Sequence, residues 1–110
     1  MAFQTFAFNT RYCQESHAVI RKIGEYQDGS TALEVYSSEG EPLSRVTVCM
    51  AGYDETPRDG MVFIKDYADN EGVFEALHEA GIVGQPERWL DAGYAKNGVA
   101  EAELLVEVTE

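Results

Sequence analysis

The sequence has few basic residues, and this shortage limits the partners that the chain can attract. Lys and Arg number 8 against 20 Asp and Glu, so the formal net charge of the 110-residue chain is −12. Such a charge repels nucleic acid and anionic membranes and attracts a basic protein surface. We therefore expect no direct contact with nucleic acid or with a membrane. Acidic surfaces also keep proteins soluble, so the charge alone does not establish a partner.

Cysteines and long apolar runs are also scarce. Cys13 and Cys49 are too few for a small disulfide-rich secreted scaffold. No apolar run reaches the length of a membrane span, and residues 1–12 lack the basic and apolar regions of a signal peptide. These shortages predict a protein of the cytoplasm with reduced thiols.

The motifs of common catalytic and cofactor sites are missing from the sequence. It contains no P-loop, no dinucleotide-binding glycine motif and no EF-hand loop. Cys13, His17, Cys49 and His78 number enough for a zinc site, but they do not form two closely spaced pairs. We therefore predict no enzyme activity, no cofactor and no metal. An enzyme or metal protein built on these four residues is the alternative.

Alternating apolar and polar residues predict β-strands through much of the chain. The pattern is clearest at Leu33 and Val35, which alternate with Glu34 and Tyr36. Glycine-containing segments predict turns near residues 28 and 40. The expected strands cover residues 3–9, 16–26, 31–38 and 43–50, then 61–67 as a strand or an extended lead into a helix, and 102–108 as a closing strand.

One helix is expected within residues 67–84. Asp69 or Asn70 suits its N-cap, and apolar residues recur at helical spacing. These apolar residues are Val73, Leu77 and Ala80. Gly81 stands where a left-handed residue ends a helix, and Ile82 would then contact Leu77 in a Schellman motif.

Together these elements predict a single domain over residues 1–110 with an α+β fold. We expect an antiparallel β-meander of about four or five strands with one main α-helix packed on it. Residues 51–60 are expected to form an exposed acidic loop. Residues 85–110 are the least regular part, and their "KNG" sequence is typical of a turn.

Negative charge is concentrated in the second part of the chain. Residues 1–49 contain six acids and four bases, whereas residues 50–110 contain 14 acids and four bases. Carboxylates on a helix and a loop can occupy the places that phosphates take in a basic groove, and such binding is fast and sensitive to salt. The acids expected to bind a partner in this way are Asp54, Glu55, Asp59, Asp66, Asp69, Glu71, Glu75 and Glu79. For each of them the alternative is a solvated acidic face.

Two aromatic residues of the same acidic region are candidate anchors for a partner. Trp89 and Tyr94 stand in the irregular segment, and aromatic residues often supply much of the binding energy of an interface. The alternative for Trp89 is a packing role between the helix and the sheet.

Three short stretches resemble a family of small acidic proteins of unknown function carried by bacterial plasmids, phages and integrative elements. They are "FIKDY" at 63–67, "NEG" at 70–72 and "AGI" at 80–82, with Tyr26, Asp28 and Gly29 upstream. The resemblance covers the meander and the helix, but the C-terminal residues match poorly. It implies no established activity. It does imply a bacterial host cell, since mobile elements encode many small acidic proteins that block host defences.

The leading hypothesis is a non-enzymatic protein of a mobile genetic element that binds and inhibits a nucleic-acid-handling host defence complex. Such an anti-CRISPR or anti-restriction protein would act by nucleic-acid mimicry on a basic surface of its target. The competing hypothesis is a small accessory or structural protein of a mobile element, for which a homodimer is one option, whose acidity only confers solubility.

Overall fold

Seven β-strands and one short α-helix form the fold in the computed structural model, which describes residues 5–109. The strands are β1 (Phe6–Asn9), β2 (Gln14–Glu25), β3 (Thr31–Ser37), β4 (Pro42–Arg45), β5 (Met61–Lys65), β6 (Val83–Ala92) and β7 (Ala95–Leu104). The helix α1 spans Val73–Glu79, and 3₁₀ turns span Ala51–Tyr53 and Ala68–Asn70. Residues 3 and 4, which we assigned to the first strand, lie outside the described residues.

The strands form two antiparallel sheets rather than one. The first sheet has the order β1-β2-β3-β4, and the second has the order β5-β7-β6. The predicted α+β fold, with a single meander and one main helix, is therefore wrong. The meander of the first half is a sheet by itself, and the chain after residue 82 forms a long hairpin that builds the second sheet with β5. The helix has only seven residues.

Residues 46–48 connect the two sheets by hydrogen bonds. The amide of Val46 donates to the carbonyl of Leu33 on β3 at 3.1 Å, and the carbonyl of Val46 accepts from the amide of Lys65 on β5 at 2.8 Å. The amide of Val48 donates to the carbonyl of Phe63 at 3.1 Å. The strand predicted over 43–50 therefore ends at Arg45. After β4 the backbone of residues 46–48 forms hydrogen bonds with β5 of the second sheet.

The second sheet is covered on both of its faces. Its inner face shares one core with the first sheet and α1. This core includes Ile20, Leu33, Val35, Val62, Ile64, Val73, Leu77 and Ala100. Successive side chains of a strand point to opposite faces, so Phe63 and Val99 point the other way. On this outer face they form a smaller cluster with Met50 and Ala92. Residues 50–60 therefore lie over the outer face, while α1 lies over the inner one.

The helix begins later than the sequence indicated. Its N-cap is Gly72, whereas Asp69 and Asn70 belong to the preceding 3₁₀ turn. Gly72 has a φ of 95°, and a Cβ atom there would lie 3.3 Å from the amide nitrogen of Arg11. The positive φ and the close approach to the β1–β2 turn both favour glycine at this position.

The predicted end of the helix is confirmed. The amide of Gly81 donates to the carbonyl of His78 at 3.0 Å, and the amide of Ile82 donates to the carbonyl of Leu77 at 3.0 Å. Gly81 has a left-handed φ of 77°. These are the two hydrogen bonds and the backbone conformation of a Schellman motif.

The turn between β6 and β7 lies earlier than the "KNG" sequence. Ala92 pairs with Ala95, so Gly93 and Tyr94 are the two turn residues. Gly93 supplies the positive φ, of 61°, that a two-residue hairpin turn requires. The turn predicted at "KNG" is therefore wrong, and Asn97 lies inside β7 with a φ of 51°.

Candidate functional site

Asp66, directly after β5, binds the backbone at the start of α1. Its Oδ1 accepts a hydrogen bond from the amide of Gly72 at 2.6 Å. Burial raises the pKa of this carboxyl, although hydrogen bonds from the amides of Gly72, Phe74 and Val73 act in the opposite direction. This carboxylate has a structural role within the chain, which leaves it less available to a partner than an exposed acid.

Asp69 and Glu71 each have a cation of the chain beside them. Lys65 Nζ lies 3.5 Å from Asp69 Oδ1, and Arg11 Nη1 lies 2.8 Å from Glu71 Oε1. Both pairs are exposed, and exposed ion pairs contribute only about 0–1 kcal/mol to stability. They nevertheless reduce the negative charge that these two positions present to a partner.

Glu75 and Glu79 are exposed on α1, and neither has an ion pair within residues 5–109. The other side of the helix is buried through Val73 and Leu77, which orients these two carboxylates to solvent. Residues four apart on a helix are neighbours on its surface, with about 5–6 Å between Cβ atoms. The helix therefore presents two adjacent carboxylates without a cation between them.

Trp89 lies next to α1 and is both packed and exposed. Its ring meets the ring of Phe74 edge to face at a centroid distance of 5.4 Å, and Phe74 stacks on His78 at 5.7 Å. Trp89 remains 38% exposed. It therefore fills part of the space between helix and sheet and keeps an accessible edge. We call Glu75, Glu79 and Trp89 the helix-side surface.

Glu101, which the sequence did not single out, is a buried carboxylate that binds several groups on the outer face. Glu101 on β7 has a fully buried side chain. Its Oε1 accepts from Arg88 Nε at 2.8 Å and from Arg58 Nη2 at 3.3 Å, and its Oε2 accepts from the amide of Arg58 at 3.0 Å. Arg88 also donates to Glu55 Oε1 at 2.9 Å. This network binds the loop of residues 55–58 to the second sheet.

Opposing effects act on the ionisation of Glu101. Burial by itself raises the pKa of the carboxyl. Hydrogen bonds from Arg88 and from the amide of Arg58, together with the charges of both arginines, outweigh burial and bring the pKa below its ordinary value. The Glu101 carboxylate therefore stays charged inside the protein. Glu55 is paired with Arg88, which reduces the negative charge that it presents to a partner.

Asp54 and Asp59 are exposed in the loop over the outer face, and no ion pair to either occurs in the described part of the chain. Glu75 and Glu79 lie over the inner face, on the other side of the second sheet. The structure thus divides the predicted partner-binding acids between two faces. A single flat contact would reach one group or the other.

The four residues considered as zinc ligands are not assembled into a site. Within residues 5–109 no group of three or more His, Cys, Asp or Glu side chains is placed to hold a metal ion. A ring nitrogen of His17 pairs with Ser16 Oγ at 3.0 Å, and His78 lies against the carbonyls of Val83 and Gly84. Burial and the charge of Glu15 raise the pKa of the Cys13 thiol, which disfavours the thiolate that a nucleophile requires.

A polar cleft of about 370 Å³ opens beside the first sheet, next to Asn70. Asn70 is 4% exposed, donates through Nδ2 to the carbonyl of Arg45 at 2.8 Å and accepts from Ser44 Oγ at 3.0 Å. Besides Ser44 and Asn70, the polar side chains around the cleft are Thr10, Tyr12, Cys13, Glu34, Arg45, Lys65 and Asp69. Charges of both signs surround it, so the cleft favours neither an anion nor a cation, and we assign it no ligand.

Comparison with known proteins does not identify a relative. The chain matches no protein-family model, and the searches of curated proteins and of solved structures give no significant match. In the described residues no helix is long and apolar enough to cross a membrane.

Proposed function

We propose that this protein is a non-enzymatic inhibitor carried by a mobile genetic element, which binds a basic surface of a nucleic-acid-handling host defence complex in the bacterial cytoplasm. The observation that supports it most directly is the helix-side surface. There Glu75 and Glu79 have no ionic partner in the described chain, and Trp89, which packs on Phe74 of the same helix, is 38% exposed.

The helix-side surface combines two kinds of interaction that a basic groove accepts. Lys and Arg side chains that normally hold phosphates would bind the carboxylates of Glu75 and Glu79 through charge-assisted hydrogen bonds. The accessible edge of Trp89 would add apolar contact area near the centre of the interface. The net charge of −12 would accelerate the encounter at low salt. Occupation of the groove would exclude nucleic acid by steric overlap.

The proposal is tested by capture from a nuclease-treated bacterial lysate with a charge-matched control. The test variant is Glu75→Lys/Glu79→Lys. The control is Glu39→Lys/Glu41→Lys, which makes the same change of charge at two exposed acids between β3 and β4. We expect wild type and control to retain a nucleic-acid-binding complex that the test variant loses. Added DNA or RNA should compete for that complex, and higher salt should weaken its capture.

The alternative is an accessory protein whose acidity only confers solubility. Several of the acids favour it because they already have partners in the chain: Glu55 with Arg88, Asp66 with the Gly72 amide and Glu71 with Arg11. If wild type and both variants capture the same proteins, the inhibitor proposal is wrong and this alternative replaces it.

A further inference from the structure

Four of the six tyrosines are engaged by other groups of the chain. Three have a cation over the ring, and the fourth, Tyr26, donates its hydroxyl to the carbonyl of Thr47 at 3.0 Å. The cation and ring pairs, with the distance to the ring centre, are Arg11 and Tyr12 (5.3 Å), Arg21 and Tyr36 (5.7 Å), and Lys65 and Tyr67 (5.2 Å). The protein therefore uses its own cations to cover its tyrosine rings.

Tyr53 and Tyr94 are the two tyrosines that have, within residues 5–109, neither a cation over the ring nor a hydrogen bond to the hydroxyl. Tyr53 is 54% exposed and Tyr94 is 88% exposed. They lie at the same end of the molecule, since a Cβ atom on Gly93 would be 3.5 Å from the hydroxyl of Tyr53, and Tyr94 follows Gly93 in the β6–β7 turn. Neither ring belongs to a core cluster.

The backbone positions that carry the two rings are well defined. Tyr53 ends the 3₁₀ turn Ala51–Tyr53, where its amide donates to the carbonyl of Met50 at 2.9 Å, and Glu55, two residues later, is bound to the sheet through Arg88. Tyr94 occupies the second position of a two-residue hairpin turn. A tyrosine has only about two side-chain torsions to order, so on a defined backbone it loses little conformational entropy on binding and makes an effective anchor.

The charges around the two rings favour a cation. Asp54 follows Tyr53 and is exposed, and Asp91 is exposed on β6 just before the turn. Asp91 accepts a hydrogen bond from the amide of Asn97 at 2.8 Å and has no ion pair within residues 5–109. Between residues 89 and 110 the sequence has one Lys or Arg, Lys96, and it covers no aromatic ring in the described chain.

We propose that Tyr53 and Tyr94 form a docking site for arginine side chains of a protein partner. A guanidinium stacks on a tyrosine face and is attracted by its negative potential, as the chain's own Arg11 and Arg21 already are. Asp54, the next residue after Tyr53, supplies an exposed carboxylate for a charge-assisted hydrogen bond. The site belongs to the loop over the outer face and to the hairpin tip, so it does not depend on the helix-side surface.

The test uses the purified protein and a short peptide of alternating Gly and Arg, with the same peptide carrying citrulline as the uncharged control. Binding is followed by amide chemical shifts in ¹H–¹⁵N spectra. We expect the arginine peptide to shift the amides of Tyr53, Gly93 and Tyr94, and the citrulline peptide to leave them unchanged. Tyr53→Ser/Tyr94→Ser should raise the Kd about tenfold, which corresponds to the loss of two exposed cation–π contacts.

The matched control is Tyr12→Ser. Tyr12 is 61% exposed, but Arg11 already lies over its ring, so we expect a Kd within about twofold of wild type. The docking site is wrong if the double variant binds as tightly as wild type, if the citrulline peptide binds equally well, or if the shifts spread evenly over the acidic surface. Unfolding by urea checks that the variants are folded. The lysate experiment on Glu75 and Glu79 has no bearing on this result.

Discussion

Gly98 lies directly against the ring of Tyr67. A Cβ atom on Gly98 would be 2.9 Å from Cδ1 of Tyr67 and 3.1 Å from the Cβ of Ala95. Tyr67 in turn carries Lys65 over its ring. The absence of a side chain at Gly98 therefore lets the segment after β5 close onto β7.

The first prediction is that Gly98→Ala lowers the free energy of unfolding by about 1–3 kcal/mol, because the new methyl group overpacks the contact with Tyr67. Urea unfolding followed by circular dichroism measures the change. Gly84→Ala is the control, since its Cβ would have 3.9 Å to the nearest atom. It should be neutral or slightly stabilising. Equal losses in the two variants would contradict the steric explanation.

The second prediction concerns the buried carboxylate of the outer face. Glu101→Gln keeps the size of the side chain but removes the charge that faces Arg88 and Arg58, so we expect the free energy of unfolding to fall by roughly 2–3 kcal/mol. Glu87→Gln is the control. Glu87 also pairs with Arg58, but it is half exposed and its Oε1 lies 3.5 Å from Arg58 Nη2, so the pair is weak. Its effect should stay within about 0.5 kcal/mol. Hydrogen exchange should also become faster in residues 55–58 of the Glu101 variant.

The third prediction is that Glu101 is responsible for part of the loss of stability at acidic pH. The pKa of this carboxyl is lower in the folded protein than its ordinary value of 4.5. Its stabilisation is therefore fully present above about pH 4.5 and is lost as the pH falls through the folded value. Urea unfolding at a series of pH values should show a smaller acid-induced loss for Glu101→Gln than for wild type. Parallel curves for the two proteins would show that Glu101 is not the group responsible.

The fourth prediction separates the structural role of Asp66 from its charge. Asp66→Ala removes the acceptor of the Gly72 amide and should cost about 1–2 kcal/mol of stability, in the range of a lost helix cap. Asp66→Asn keeps an acceptor oxygen, and burial raises the pKa of the native carboxyl, so this variant should lose less. Asp69→Ala, at an 82% exposed side chain, is the control and should change stability little. If Asn and Ala cost the same at position 66, the hydrogen bond to Gly72 contributes little.

The sequence predicted the first sheet because its strands are buried on one face only. In β3, Leu33 and Val35 are fully buried while Glu34 and Tyr36 are not, so the apolar positions alternate clearly. The turns at Gly29 and Gly40 and the Schellman motif at Gly81 were also predictable, since they depend on glycines with a positive φ. These features are local, and local patterns are what a sequence displays.

The second sheet was missed because both of its faces are covered. Residues 98–102 of β7 are buried without interruption, and β6 contains Gly84 and Pro86, which are unusual inside a strand. Glu101 could not be distinguished from Glu103 by its type or spacing. Only contacts with Arg88 and Arg58, distant in the chain, make it a buried ion. The division of the acids between two faces follows from the same long-range packing.

The pairing order of the two sheets has a consequence for synthesis on the ribosome. Each strand of the first sheet pairs with a neighbour in sequence, whereas β5 pairs with β7, with Met61 opposite Glu103. The first sheet can therefore form early. Its inner side chains, such as Ile20 and Leu33, then stay exposed until the second sheet covers them. We expect the acids concentrated after residue 49 to limit aggregation during that interval, because like charges repel between incomplete chains.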